Sequence, residues 1–185
     1  VLPPSTHLQS GLLGGGDAKH VNTGIVFLWS GGTIAGGGLA VLSGGRMEMI
    51  PGGAKVLETG IANAGVIAWR GSDVAGPGSF TNLAGGVFEI SGSGTLYPSL
   101  ANAGRLVMDG ANENTSLRGA FTNTGTVEVT AGTLHVLGPF SNLAGSTLTG
   151  GRYDLRGTLH HEGQSIRTIA ADVTLAGAGS YLRSG

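Results

Sequence analysis

The sequence predicts an all-β chain wound as a parallel β-helix, a solenoid of about nine coils with a period near 20 residues. Three observations predict it. A short phrase built on Asn and Gly recurs along the chain, the side chains around it alternate between apolar and polar, and 37 of the 185 residues are Gly.

The recurrence comes first. Asn followed two or three residues later by Gly stands at Asn22, Asn63, Asn82, Asn102, Asn123 and Asn142, at intervals of 41, 19, 20, 21 and 19 residues. The first interval is about twice the others, so one copy lacks its Asn, near Leu39–Gly45. Two places before the Asn stand His20, Ile61, Phe80, Leu100, Phe121 and Phe140. Six places after it stand Leu28, Trp69, Phe88, Met108, Val129 and Leu148. Apolar groups therefore share the parity of the Asn, and period two means strand. No apolar 3.6-residue period is sustained, and Gly interrupts each candidate helix. Val127–Val129, Thr133–Val136 and Phe140 read as three short strands in one unit.

A unit of 20 residues is too small for a propeller blade of roughly 40–50 residues and fits one solenoid coil. Coils stack at about 4.8 Å, so like residues sit above like residues. A buried Asn at a bend needs partners for its amide. Stacked on the next Asn, each amide donates to one neighbour and accepts from the other. Asn22, Asn63, Asn82, Asn102, Asn123 and Asn142 are the expected ladder. Gly at the corners accepts positive φ without steric cost.

Composition narrows the function classes. Ten Lys+Arg against eleven Asp+Glu leave a formal charge of −1, with no basic stripe for nucleic acid. Leu, Ile, Val and Phe make a quarter of the chain, above the ~20% below which disorder is expected. The longest run of large apolar residues, Ile25–Trp29, is far short of the ~18 needed for a membrane span. With no Cys, there is neither a disulfide framework nor a thiolate metal site. Residues 1–19, with Pro3-Pro4 and Gly14-Gly15-Gly16, read as a linker or irregular cap. Residues 20–185 form one β-helix domain, with regular coils over 20–158 and variant coils over 159–185, where His161 takes the Asn place.

Phe121-Thr122-Asn123-Thr124-Gly125-Thr126-Val127-Glu128-Val129, Phe140-Ser141-Asn142-Leu143-Ala144-Gly145 and Gly132-Thr133-Leu134-His135-Val136 resemble repeats of large secreted bacterial surface proteins. These are the filamentous-haemagglutinin-like and autotransporter-passenger-like β-helices. The resemblance implies a right-handed coil and an extracellular, cell-surface location. The Asn-Pro-Asn motifs of the two-partner secretion domain and a translocator barrel are missing, so the resemblance is to passenger repeats.

Chemistry-bearing residues are sparse. The five Asp are Asp17, Asp73, Asp109, Asp154 and Asp172; none adjoins another, and the spacings of 36 from Asp73 to Asp109 and 45 from Asp109 to Asp154 are about two coils each, so neither places two carboxylates on neighbouring coils. No catalytic residue is assigned. His160 and His161 are adjacent and point to opposite faces, so no metal site is assigned, and no cofactor is expected. The candidate ligand contacts are Arg152, Asp154 and Arg156, which alternate on an outward strand face, and Trp29, which stands one place past the apolar slot and suits sugar stacking.

The expected function is a structural or adhesive rod, a stiff spacer in a secreted or surface-attached bacterial protein. Its expected partners are glycans or surface proteins, or further copies of itself end to end. One alternative is a self-assembling fibre subunit, because open solenoid ends expose strand edges. Another is a carbohydrate-active or carbohydrate-binding β-helix of lyase or hydrolase type. Its mark would be a groove with two carboxylates, or a carboxylate–Arg pair, on adjacent coils.

Overall fold

Alternating side chains and Gly corners produce short strands on three faces, and each coil lays one strand on each face in turn. The computed structural model describes residues 1–3, 5–111 and 113–185. The described residues contain no helix, so none is long and apolar enough to cross a membrane. The solenoid makes about eight turns of about 21 residues. The first face has nine parallel strands, from Thr6–Leu8 to Asp172–Leu175, and the second has nine, from Leu12–Leu13 to Tyr181–Ser184. The third has six, from Lys19–Val21 to Phe121–Asn123. Eight steps between nine strands give an axial length of about 38 Å at the ~4.8 Å strand spacing.

Every second residue of a strand points inward. On the first face one inward column runs Phe27, Met47, Ile67, Phe88, Leu106, Val127 and Tyr153, and its neighbour runs Trp29, Met49, Trp69, Ile90, Met108, Val129 and Leu155. All of these are buried in one continuous core. Lys55 is a buried exception, 1% exposed, with its ammonium donating to Ser72 Oγ at 2.8 Å. Burial pushes its pKa down.

The third face ends in the Asn ladder. Asn63 Nδ2 donates to Asn82 Oδ1 (2.8 Å), Asn82 Nδ2 to Asn102 Oδ1 (2.7 Å), and Asn102 Nδ2 to Asn123 Oδ1 (2.8 Å). Each amide also donates to the carbonyl that opens the first-face strand one coil on: Val87 (2.9 Å), Arg105 (3.2 Å), Thr126 (3.0 Å) and Arg152 (3.3 Å). Asn142 closes the column differently. Its Oδ1 accepts from the Asn123 backbone N–H at 2.6 Å, and its Nδ2 donates to the Asn123 carbonyl at 2.7 Å. The side-chain amide thus occupies the Asn123 peptide in place of a further strand.

Asn22 does not belong to this column. Val21 pairs with Val41 and Val41 with Asn63, so two valines occupy the first two places and Asn22 falls one residue late. The corners also differ in length. Asn63, Asn102 and Asn123 are followed by two residues before the first-face strand begins, whereas Val21, Val41 and Asn82 are followed by four. The longer corners are turns closed by Ile25 N–H to Asn22 O (3.0 Å), Gly45 N–H to Leu42 O (2.8 Å) and Gly86 N–H to Leu83 O (2.9 Å). In the short corners the coils approach so closely that a Cβ on Gly125 would lie 2.1 Å from the Gly104 carbonyl oxygen.

Both terminal regions differ from expectation. Residues 1–19 are not a linker, because Thr6–Leu8 and Leu12–Leu13 pair in parallel with Val26–Trp29 and Gly32–Ile34 as the first coil. His161 does not take the Asn place. It sits on the second face, in register with Val136, with its Nδ1 3.0 Å from the Val136 carbonyl oxygen and its ring against Phe140. After Asn142 the third face gives way to a small antiparallel turn, Leu143–Ala144 with Thr147–Leu148, the latter pairing with Thr168–Ile169.

Candidate functional site

The same alternation that buries the first-face columns turns two other columns outward. One carries Arg46, Arg105 and Arg152, and the other carries Glu48, Glu89, Glu128 and Asp154. Every ion pair among the described residues lies on or beside this face. Arg46 Nε meets Glu48 at 2.7 Å and its Nη2 reaches Glu89 at 3.0 Å, past the intervening Ala68. Arg70 approaches Glu89 at 3.6 Å. Arg105 forks onto Glu128 with bonds of 2.6 and 2.5 Å, and Arg152 Nε meets Asp154 at 2.8 Å. Hydrogen bonds to these carboxylates raise the pKa of each paired arginine, Arg46, Arg105 and Arg152. The arginines are 30–52% exposed, so water and salt screen these pairs and they add little to stability. The array matters more as a patterned surface than as a clamp.

One part of this face is concave. A groove of about 460 Å³ lies over the strands Thr126–Val129, Arg152–Leu155 and Asp172–Leu175, lined by Glu128, Thr130, Arg152, Asp154, Arg156 and Thr174 among others. The outward candidates Arg152, Asp154 and Arg156 all line it. Glu128 and Asp154 are register partners on adjacent strands. The reading that no two carboxylates share neighbouring coils therefore fails, here for Glu128 with Asp154 and again for Asp154 and Asp172, whose strands are paired. The Arg152 guanidinium holds the Asp154 carboxyl below the usual carboxylate range, so it is an anion at neutral pH. A general acid needs the opposite shift. The groove offers two carboxylates, two guanidiniums and two hydroxyls, a set suited to holding a hydroxyl-rich or zwitterionic ligand.

Trp29 is not a ligand contact. It is 0% exposed in the column between Leu8 and Met49, and its indole N–H donates to the Gly32 carbonyl at 3.2 Å. Val21 holds the ladder place and Asn22 falls one residue late, so Phe27 and Trp29, at even offsets from Val21, point in and Val26 and Leu28 point out.

A second cluster lies on the outward side of the second face. His135 and His160 are register partners, with ring centroids 5.2 Å apart. Glu162 follows two residues after His160, and the ligand atoms of His135, His160 and Glu162 all lie within 4.8 Å of one another. Burial, helped by the nearby His160, pushes the His135 pKa down. Sequence reasoning compared His160 with its chain neighbour His161 and missed its partner one coil away. No family model, no curated protein and no solved structure matches the chain.

Proposed function

We propose that the chain is a stiff β-solenoid rod, acting as a spacer or adhesion scaffold within a secreted or surface-attached bacterial protein. The observation that carries this reading is one uninterrupted core, continuous from Leu2 to Leu159 and reinforced by the Asn ladder. In such a rod each coil supports its neighbours while the outward residues remain free to vary. Single-molecule pulling between the two ends tests it. A spacer resists extension and then unfolds in steps of about 70 Å of contour length, one coil of about 21 residues at ~3.4 Å each. Smooth extension without force peaks would overturn the reading.

The groove favours a second reading, a binding surface for a polar glycan. It brings the carboxylates Glu128 and Asp154 together on adjacent coils, and its Arg152 reaches Asp172 one coil on at 3.7 Å. A glycan array run on the intact chain and on Asp154→Asn separates the two readings. A hit that the variant abolishes supports binding, and its absence leaves the spacer alone. End-to-end association is carried by a different feature, the exposure of Ile169, Leu175 and Tyr181 on the last coil. Concentration-dependent filaments in negative stain would support it, and a monomer at high concentration would exclude it.

A further inference from the structure

We infer that His135, His160 and Glu162 form a binding site for one divalent transition metal ion of borderline softness, zinc foremost. The site links two adjacent coils and is independent of the spacer reading. Two imidazoles and one carboxylate are the donor set that Zn²⁺ accepts, whereas Mg²⁺ and Ca²⁺ prefer oxygen ligands alone.

The fold supplies the geometry. Parallel pairing of Thr133–Val136 with Thr158–His161 sets the two histidines directly opposite each other. Both occupy outward positions, since Leu134, Val136, Leu159 and His161 take the inward ones. Glu162 has the outward parity of His160 and lies just beyond its strand. Donor atoms on a tetrahedral zinc stand about 3.3 Å apart, from metal–ligand distances of ~2.0–2.1 Å. The present separations, all within 4.8 Å, close to that value by side-chain rotation alone. Glu162 is exposed and the histidines are half-buried, so none is locked in a core rotamer. Three protein ligands leave a fourth position open to water or to a donor from another molecule.

The surroundings set a specific expectation. In the histidine column Ser116 precedes His135, and Arg183 follows His160. Arg183 is turned onto the ring of Tyr181, with its guanidinium carbon 4.3 Å from the centroid. Its positive charge opposes a bound cation, and removing it strengthens binding. A merely fortuitous surface histidine would not predict that gain.

The test uses the whole chain titrated with ZnCl₂, read by isothermal calorimetry and by competition with a chromogenic chelator. The expected result is one zinc per chain. His135→Gln and His160→Gln each weaken binding at least tenfold, since loss of a direct ligand costs no less than loss of an outer-shell partner. Glu162→Gln weakens it less, Arg183→Gln strengthens it, and His20→Gln leaves it unchanged. Circular dichroism on each variant confirms that the coil is intact. In NMR spectra of the unaltered chain, zinc shifts the imidazole resonances of His135 and His160 together. Three outcomes overturn the site: no one-to-one binding, affinity unchanged in His135→Gln and His160→Gln, or imidazole shifts confined to other histidines.

Discussion

Replacing Asn102 by Leu tests whether the amide column holds the third-face corner. Leu shares the heavy-atom count and branching of Asn but is bulkier and makes no hydrogen bond, so the cost combines lost polar pairing with overpacking. Asn102 takes part in three bonds: from Asn82 Nδ2 (2.7 Å), to Asn123 Oδ1 (2.8 Å) and to the Thr126 carbonyl (3.0 Å). Asn82 Nδ2 keeps its contacts with the Gly86 and Arg105 carbonyls, at 3.3 and 3.2 Å, so it is not orphaned. Asn123 Oδ1 loses its donor and stays buried, at a cost of ~1–3 kcal/mol. The other two lost bonds cost ~1 kcal/mol each. The expected destabilisation is therefore about 3–5 kcal/mol, a large part of the ~5–15 kcal/mol that holds a typical domain together. Urea unfolding followed by circular dichroism reads it as a lower midpoint with an unchanged slope. Asn22→Leu is the matched control, because Asn22 lies outside the column, and its cost is expected to stay within ~0.5 kcal/mol. The double variant Asn82→Leu, Asn102→Leu is expected to cost less than the sum of the singles, since both remove the same 2.7 Å bond. A cost below ~1 kcal/mol for Asn102→Leu, or one equal to that of Asn22→Leu, would refute the ladder as a source of stability.

Gly125→Ala is expected to destabilise by at least ~2 kcal/mol, because its Cβ would meet the Gly104 carbonyl oxygen at 2.1 Å and the bond from Thr126 N–H to that carbonyl would break. Gly85→Ala, with φ +85° and nothing within 4 Å, carries only the left-handed backbone cost of ~1–2 kcal/mol, so urea midpoints should rank the two. Tyr153→Phe is expected to be neutral or stabilising by up to ~1 kcal/mol, because the buried hydroxyl lacks a partner in hydrogen-bonding geometry. Burial pushes the Tyr153 pKa up to about 12, so the native chain loses stability as pH rises from ~10 towards that value, by up to ~3 kcal/mol, and Tyr153→Phe abolishes the loss in alkaline denaturation. Lys55→Met acts in the opposite sense. The lowered folded pKa makes the native chain gain stability as pH rises through it towards 10.5, and the variant is more stable at pH 7 and lacks that gain. Arg105→Ala is expected to cost no more than ~1 kcal/mol, and the cost should shrink further in 1 M salt.

Much of the solenoid is legible in the sequence because burial imposes itself at every coil. Phe80, Leu100 and Phe121 face in for the same reason that Asn82, Asn102 and Asn123 do, and period two records it. What escapes is register. An offset counted from Asn22 starts one residue past the Val21 ladder place, which is why Trp29 reads as exposed although it is buried. The Asn22 phrase is local turn chemistry, shared by corners inside and outside the ladder. The first coil escapes for another reason. Its strands Thr6–Leu8 and Leu12–Leu13 precede the first Asn phrase, so the repeat does not mark them, and they pair with the next coil.

The two candidate sites share one structural cause. Register partners elsewhere on the first face lie 18 to 21 residues apart, as in Phe27 with Met47 or Phe88 with Leu106, but Glu128 and Asp154 are 26 apart and His135 and His160 are 25 apart. The excess is the excursion after Asn142, whose antiparallel turn lengthens that coil. A search at the repeat period steps past both pairs. Above the turn the first face closes on itself as arginine–glutamate pairs. Beside the turn it opens into the groove, and the second face places imidazole on imidazole. Regular coils need only to stack, and their outward charges pair off, Arg46 with Glu48 and Glu89 and Arg105 with Glu128. The irregular coil departs from the repeat and gathers the carboxylate pair, two arginines and both facing histidines within one step of the axis. Deleting residues 143–148 leaves Glu128 and Asp154 20 residues apart and His135 and His160 19 apart, which is an ordinary period, so both pairs are expected to stay in register and zinc binding to survive. A deletion variant that folds but loses zinc binding would show that the excursion shapes the metal site and does not merely lengthen its coil.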